Sequence, residues 1–192
     1  MYYLTTHPSP IGKYTLACDG ENLVGLWLEG QKYHGATIPE KMIEKNDVPI
    51  FDIVTKWLDR YFAGEKPAIS ELPLAPIGSE FRQDVWRILC EIPYGKVITY
   101  GSIAKKMAAK MNKKSMSSQA IGGAVGHNPI SIIIPCHRVV GTNGSLTGYA
   151  GGIGKKVRLL ELEGVDMSRL FVPAKGVTAR PERQHKQRHM SA

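Results

Sequence analysis

The first part of the chain alternates short apolar runs with turn residues. The runs YTLACDG and NLVGLWLEG meet at Asp19-Gly20, a pair typical of tight turns, and this predicts a β-hairpin. In FDIVTKWLDRYFAGE the apolar positions recur every three or four residues, as on the buried face of a helix that ends at a glycine. Those positions are Phe51, Val54, Trp57, Leu58 and Tyr61. Residues 66–76 contain three prolines and indicate a linker, so we predict a small mixed α/β domain over residues 1–75.

The following segments predict three helices. GSEFRQDVWRILCEIPYG has Ser79 as its N-cap and a Pro-Tyr-Gly stop, and ITYGSIAKKMAAKM has one apolar side. Five lysines lie opposite that side or just after it, and they form either a solvated face or a phosphate-binding one. They are Lys105, Lys106, Lys110, Lys113 and Lys114.

The third helix, SSQAIGGAVGHNP, is unusually slim. Gly122, Gly123 and Gly126 each cost up to about 1 kcal/mol in a helix interior, but they let another surface come close to the backbone. Two short helices joined by a turn, the second of them slim, suggest a helix-turn-helix motif. The alternative is that the glycines serve close helix packing inside the core.

A cysteine follows the apolar run of the second half. ISIII predicts a buried strand that ends at the run PCHR, and a glycine-rich loop, VVGTNGSLTGYAGG, comes next. KKVRLLELEG then predicts a helix closed by Gly164. We predict a second domain over residues 76–171 and a basic, mobile tail over residues 172–192.

Composition narrows the class of protein. The 192 residues are 43% hydrophobic and 22% charged, as in ordinary globular proteins, and no apolar run approaches the roughly 18 residues of a membrane span. The N-terminus lacks the pattern of a secretory signal, so we expect a cytoplasmic protein without a membrane partner. The formal net charge of +8 favours a polyanionic partner such as nucleic acid, although a merely basic surface has the same charge.

The three cysteines predict neither a disulfide framework nor a metal site. They are odd in number and widely spaced, there is no CxxC pair, and the adjacent side chains of Cys136 and His137 rarely reach one zinc ion together. Cys18 lies in a strand pattern and Cys90 in a helix pattern, where packing is the simplest role. We therefore expect no metal and no cofactor.

Cys136 is the candidate nucleophile. A thiol reacts as its thiolate, and His137 could take the proton. Neighbouring side chains diverge in extended backbone, so a bridging water is needed, and an acid such as Glu163 must orient the histidine. The alternative is a buried structural cysteine beside an exposed histidine.

The run IPCHRVVG resembles the active-site motif of the O6-alkylguanine-DNA alkyltransferases, also called methylated-DNA–protein-cysteine methyltransferases. The resemblance extends to KVITYGSIA, AIGGAVGHNP, GYAGG and LLELEG in the same order, over roughly residues 79–170. It implies a ribonuclease H-like α/β domain followed by a winged helix-turn-helix-like alkyltransferase domain. The implied activity is DNA repair, in which a monomer binds double-stranded DNA in the minor groove and flips out O6-alkylguanine, or O4-alkylthymine. Cys136 then accepts the alkyl group irreversibly, without a cofactor.

The same resemblance implies residue roles. His137 deprotonates Cys136 through a water, Glu163 orients His137, and Tyr100 donates a hydrogen bond to the guanine ring. Asn128 braces the turn before the cysteine, and Arg138 has a structural role. The pocket residues that it implies are Val139, Tyr149 and Ala150. The DNA-contacting residues that it implies are Gln119, Ala120, Gly123, Lys113 and Lys114.

Two features depart from the family pattern. Gln119 stands where many members carry an arginine that supports the flipped nucleotide, so we expect weaker DNA binding or flipping with intact chemistry. The turn KMNKKSMS is several residues longer than usual, and its lysines are candidates for compensating phosphate contacts.

Three other functions compete. A lesion-recognition protein without transfer activity would lack the reactive cysteine. A sequence-specific regulator needs more side chains on its recognition helix than glycine and alanine provide. A cysteine hydrolase needs an oxyanion hole and a better Cys-His geometry.

Overall fold

The computed structural model describes residues 1–174. Its strands are β1 (Tyr2–His7), β2 (Tyr14–Cys18), β3 (Leu23–Leu28), β4 (Met42–Glu44), β5 (Ile98–Thr99) and β6 (Val139–Val140). Its α-helices are α1 (Pro49–Phe62), α2 (Glu80–Cys90), α3 (Tyr100–Lys110), α4 (Ser118–Gly126) and α5 (Ile153–Leu162). Within residues 1–174, three short 3₁₀ helices span Ile69–Glu71, Cys136–Arg138 and Met167–Arg169. The mixed α/β class is confirmed, whereas residues 175–192 of the predicted tail lie outside the described residues.

The N-terminal sheet has the strand order β3-β2-β1-β4. The predicted hairpin is confirmed, because β2 pairs antiparallel with β3, and the Asp19 carboxylate accepts the backbone N–H groups of Glu21 and Asn22 in the turn. Helix α1 buries all five predicted positions, and Pro49 begins it, where the missing N–H of proline costs nothing. Gly64 follows α1 with φ +83°, the left-handed conformation that a glycine adopts without strain.

Helices α2, α3 and α4 form the second half as predicted. The hydroxyls of Ser79, Thr99 and Ser117 cap their N-termini by accepting backbone N–H groups of the first turn. Trp86 on α2 is 1% exposed, and its indole N–H donates to the carbonyl of Ala124 on α4 over 2.9 Å. This bond fixes α4 against α2 while leaving the opposite side of α4 uncovered.

The prediction of a strand over ISIII, residues 130–134, is wrong. Ile130 makes a single parallel bridge with Leu26 of β3, after which the chain turns, and Ile132 has φ +69°. The isoleucines are at most 1% exposed, so burial accounts for the apolar run without a strand. Asn128 supplies the alternative hydrogen bonds, because its side chain accepts from the Ile130 N–H and donates to the Ile134 carbonyl. Cys136 therefore begins a 3₁₀ turn instead of ending a strand.

One hydrophobic core joins the two halves of the chain. It includes Leu16 and Leu26 from the sheet together with Trp86, Ile103 and Ile121 from the helices. Residues within the predicted linker also bond to β3, through the Pro73 carbonyl and the Ala75 N–H. The boundary at residue 75 stays a prediction. In the described part of the chain, no helix combines the length and the apolar character needed to cross a membrane.

Candidate active site

The Cys136 thiol lies in the interior, with 5% of the residue exposed. The Asn128 side-chain amide donates a hydrogen bond to Sγ over 3.1 Å. Burial raises the pKa of Cys136, while the bond from Asn128 and the positive charge of Lys156 oppose that rise. The thiol is thus protonated at neutral pH, and a nucleophilic role requires a base.

His137 is placed to be that base. Its ring is fully buried, and Nε2 lies 2.6 Å from Oε1 of Glu163. Because a carboxylate only accepts, Nε2 carries the hydrogen and Nδ1 holds a free lone pair. Nδ1 has no hydrogen-bond partner among residues 1–174. Burial lowers the pKa of His137 despite the nearby Glu163, so the imidazole is neutral and able to accept a proton.

Glu163, at the C-terminal end of α5, accepts hydrogen bonds from three parts of the chain. The Tyr61 hydroxyl donates to Oε1 over 2.7 Å, and the Gly95 N–H donates to Oε2 over 3.2 Å. Arg138 donates twice, from Nε over 2.8 Å and from Nη2 over 3.0 Å. We call Glu163 and its donors Tyr61, Gly95, His137 and Arg138 the Glu163 network.

This network keeps the carboxylate ionised. Burial alone would raise the pKa of Glu163, but the hydrogen bonds from His137 and Arg138 and the positive charge of Arg138 outweigh it and lower the pKa to about 2. Arg138 also donates to the Ile92 carbonyl over 2.5 Å, and its guanidinium lies over the Tyr94 ring. Arg138 therefore holds the Glu163 carboxylate and the backbone at Ile92 in place.

Lys156 on α5 is a residue that sequence reasoning missed. It is fully buried, and its ammonium donates to the carbonyls of Val139 over 2.5 Å and Thr147 over 3.0 Å. Burial lowers the pKa of Lys156 to about 8, and a thiolate at Cys136 would act in the opposite direction. The signal was present, because positions 156, 159, 160 and 163 follow the helical spacing of one buried face.

The predicted pocket residues lie around the same loop. The Tyr100 hydroxyl donates to the Thr147 carbonyl over 3.2 Å, and burial raises the pKa of Tyr100 to about 12. Burial also raises the pKa of Tyr149, so both phenols stay neutral. Val139 is buried, and its carbonyl already receives Lys156. Tyr149 and Ala150 line a groove of about 540 Å³ that opens beside α4.

The predicted DNA-contacting residues lie apart from this cluster, on the surface. Gln119, Ala120 and Gly123 are exposed on the outer side of α4. A Cβ added at Gly122, Gly123 or Gly126 would meet nothing within 4 Å, so these glycines do not serve packing inside the core. We call the outer side of α4, formed by the exposed Gln119, Ala120 and Gly123 and the half-buried Gly122 and Gly126, the α4 face.

Lysines border the α4 face. Lys113 and Lys114 lie in the loop between α3 and α4 and, together with Lys105, line a groove of about 510 Å³ at the start of α4. In residues 1–174 no cluster of three His, Cys, Asp or Glu side chains is arranged to hold a metal ion.

Comparison with protein families identifies both halves. Residues 1–76 match the family model described as the ribonuclease-like domain of 6-O-methylguanine DNA methyltransferase. Residues 80–165 match the model of the DNA-binding domain of the same family.

Curated relatives and solved structures agree with these matches. The methylated-DNA–protein-cysteine methyltransferase of Haemophilus influenzae is 43% identical over 161 residues, which cover 84% of this chain and 86% of the relative. The protein with the same name from Methanosarcina acetivorans is 45% identical, over 85% of this chain and 99% of the relative. The crystal structure of Mycobacterium tuberculosis OGT in complex with DNA superposes with a TM-score of 0.73 at 40% identity, covering 84% of this chain and 92% of that one.

Proposed function

We propose that this chain, which belongs to the 6-O-methylguanine DNA methyltransferase family, repairs DNA by moving the alkyl group of O6-alkylguanine onto its own Cys136. One observation carries the proposal. A buried thiol and a neutral histidine held by an ionised glutamate lie in the interior behind a helix whose outer face is nearly free of side chains. The buried thiol with its histidine and glutamate suits a nucleophile, and the nearly side-chain-free outer face of α4 suits close contact with a duplex.

Burial of the thiol requires the damaged base to leave the duplex. Cys136 is 5% exposed, so no base inside a stacked helix can reach Sγ. Base flipping costs a few kcal/mol of unstacking, which contacts from the protein must offset. The α4 face would enter the minor groove, and the base would pass through the groove lined by Tyr149 and Ala150.

The chemistry begins with the thiol proton. We infer that Nδ1 of His137 takes it through one water molecule, and that Glu163 stabilises the resulting imidazolium through Nε2. The Asn128 amide and the Lys156 ammonium favour the thiolate. Sγ then attacks the alkyl carbon in line, so that a C–S bond forms while the C–O6 bond breaks.

The electron pair of the broken bond stays on the leaving guanine. The resulting guanine anion gains a proton, for which the hydroxyl of Tyr100 is the predicted donor, and the proton held by His137 replaces it. The balance is one thiol and one O6-alkylguanine converted into one thioether and one guanine. Since a thioether has no good leaving group, each protein molecule acts once. Every group in this scheme comes from a single chain, which fits action as a monomer.

Intact-protein mass spectrometry tests the proposal. The protein is mixed with a duplex that contains one O6-methylguanine, and we expect one added methyl group, mapped to the peptide with Cys136 and absent in Cys136→Ala. Tight lesion binding without added mass would indicate the lesion-recognition function instead. Neither added mass nor a preference for the lesion would refute the proposed function.

A further inference from the structure

The loop after β3 reaches from the N-terminal half to the candidate active site. We call residues 29–33 the β3 loop. The Gln31 side chain accepts the Ser131 hydroxyl over 2.8 Å, and the Lys32 N–H donates to the Ala150 carbonyl over 3.1 Å. The Tyr33 ring stacks on His127 at the end of α4, with 4.0 Å between ring centroids. The loop therefore touches both the DNA-facing helix and the loop of the pocket.

Tyr33 is unusual in its backbone and in its exposure. Its φ of +60° lies in the left-handed region, which residues other than glycine rarely occupy. The residue is 51% exposed, so burial of the ring does not account for this conformation. Strained backbone that packing does not require is found preferentially at functional sites.

The position of Tyr33 indicates what it could contact. The groove of about 540 Å³ has three walls, made by the β3 loop, by Gly122 and Gly126 of α4, and by the segment around Tyr149. Tyr33 lines this groove beside Gly122 and Gly126, so a DNA strand that lies on the α4 face and extends to the groove would lie next to the Tyr33 ring. An aromatic face stacks on bases and sugars of any sequence, and the neighbouring Lys32 offers a cation for a phosphate.

We propose that Tyr33 and Lys32 form a DNA-contacting element, in which Tyr33 stacks on the damaged strand beside the flipped nucleotide and Lys32 binds its phosphate. This inference rests on the proposed function and adds the N-terminal half to the DNA interface. The sequence itself gave no sign of it, because none of the expected site residues precedes Tyr100. The competing explanation is that Tyr33 only supports His127 and the pocket from outside.

Two substrates separate these explanations. Alkyl transfer is measured from a duplex with one O6-methylguanine, and from free O6-benzylguanine base, which reaches the pocket without DNA. Tyr33→Gly removes the ring and tolerates the left-handed backbone, whereas Tyr33→Phe keeps the ring. Phe171→Ala serves as the control, because Phe171 is an aromatic residue that is 46% exposed and does not line the groove.

We expect Tyr33→Gly to weaken duplex affinity and to slow transfer from subsaturating duplex by about tenfold, at an unchanged rate with the free base. Tyr33→Phe and Phe171→Ala should stay within about twofold of the unaltered protein, and Lys32→Ala should lower the salt dependence of binding by about one phosphate contact. Equal losses on both substrates, or no loss on the duplex, would overturn the inference. Should the unaltered protein transfer nothing, the proposed function fails, and the duplex affinities alone still decide whether Tyr33 contacts DNA.

Discussion

The Glu163 network joins both halves of the chain, whereas the α4 face belongs to the second half alone, and the two differ in how complete their contacts are. The Glu163 side chain is fully buried, and both of its oxygens accept several hydrogen bonds from protein groups. On the α4 face, glycines border open space and Gln119 is exposed. The free protein thus already holds the network in place, whereas the α4 face, under the proposed function, acquires its contacts only when DNA arrives.

The difference has an energetic reason. A buried charge is tolerated only when it is fully paired, so the network must be assembled during folding. An exposed helix face carries no such penalty, and its residues can be chosen for what they bind. Substitutions in the network should therefore disturb folding and transfer together, and substitutions on the α4 face should change DNA binding without disturbing the fold.

Glu163→Gln should have the largest effect. The substitution leaves the Arg138 guanidinium buried without its carboxylate, at a cost of about 3–5 kcal/mol in the free energy of unfolding. Transfer should slow as well, because the imidazolium of His137 loses its stabilising anion. Denaturant unfolding and single-turnover transfer kinetics measure the two effects, and an unfolding curve that superposes on that of the unaltered protein would contradict the role of the network.

The same substitution should change the dependence of stability on pH. The pKa of Glu163 is lowered from 4.5 to about 2 in the folded protein, so its contribution is fully present above about pH 4.5 and is lost as the pH falls toward 2. The free energy of unfolding of Glu163→Gln should therefore fall less between pH 4.5 and pH 2 than that of the unaltered protein.

Tyr61→Phe should have a smaller effect on the same network. It removes one donor from Oε1 of Glu163, which costs about 1–3 kcal/mol in stability when a buried acceptor loses a partner. The carboxylate then attracts the imidazolium more strongly and raises the pKa of His137. Since only neutral His137 accepts the thiol proton, the acid limb of the transfer rate should move to higher pH. Tyr3→Phe is the control, because the Tyr3 hydroxyl bonds only at the surface; equal pH profiles for the two variants would remove Tyr61 from the network.

The contact between Tyr61 and Glu163 also shows what could not be predicted from the sequence. The helical spacing of α1 predicted that Tyr61 is buried, but no local pattern indicates a hydrogen bond to a residue 102 positions away. The failure at ISIII has a similar cause, since the choice between strand and turn depended on the Asn128 side chain. Lys156 could have been found, because it shares a buried helical face with Glu163. Local periodicity thus predicted the elements and one side of the network, while the pairing of distant groups required the fold.

Gly123→Ala tests the α4 face, because it should raise the stability of the protein and lower its affinity for DNA. A Cβ at this position meets nothing within 4 Å, so alanine should stabilise the helix by about 1 kcal/mol. The added methyl group should nevertheless hold the duplex away from the backbone and weaken DNA binding several-fold. Gly154→Ala on α5 is the matched control, also in open space, and should leave DNA affinity unchanged. Unchanged affinity in Gly123→Ala would argue against α4 as the DNA-facing helix.

Gln119→Arg should have the smallest effect, confined to DNA. The side chain is exposed in the first turn of α4, so the change in stability should be slight and mildly unfavourable, because a cation opposes the helix dipole at this end. A charge near the duplex should raise the affinity a few-fold at low salt and increase the salt dependence by about one phosphate contact. Gln119→Met keeps the length of the side chain without the charge and should not show the gain. If the arginine variant and the unaltered protein have equal DNA affinity, salt dependence and transfer rate, position 119 does not limit recognition. The neighbouring surface, including Lys113 and Lys114, then already supplies the needed charge.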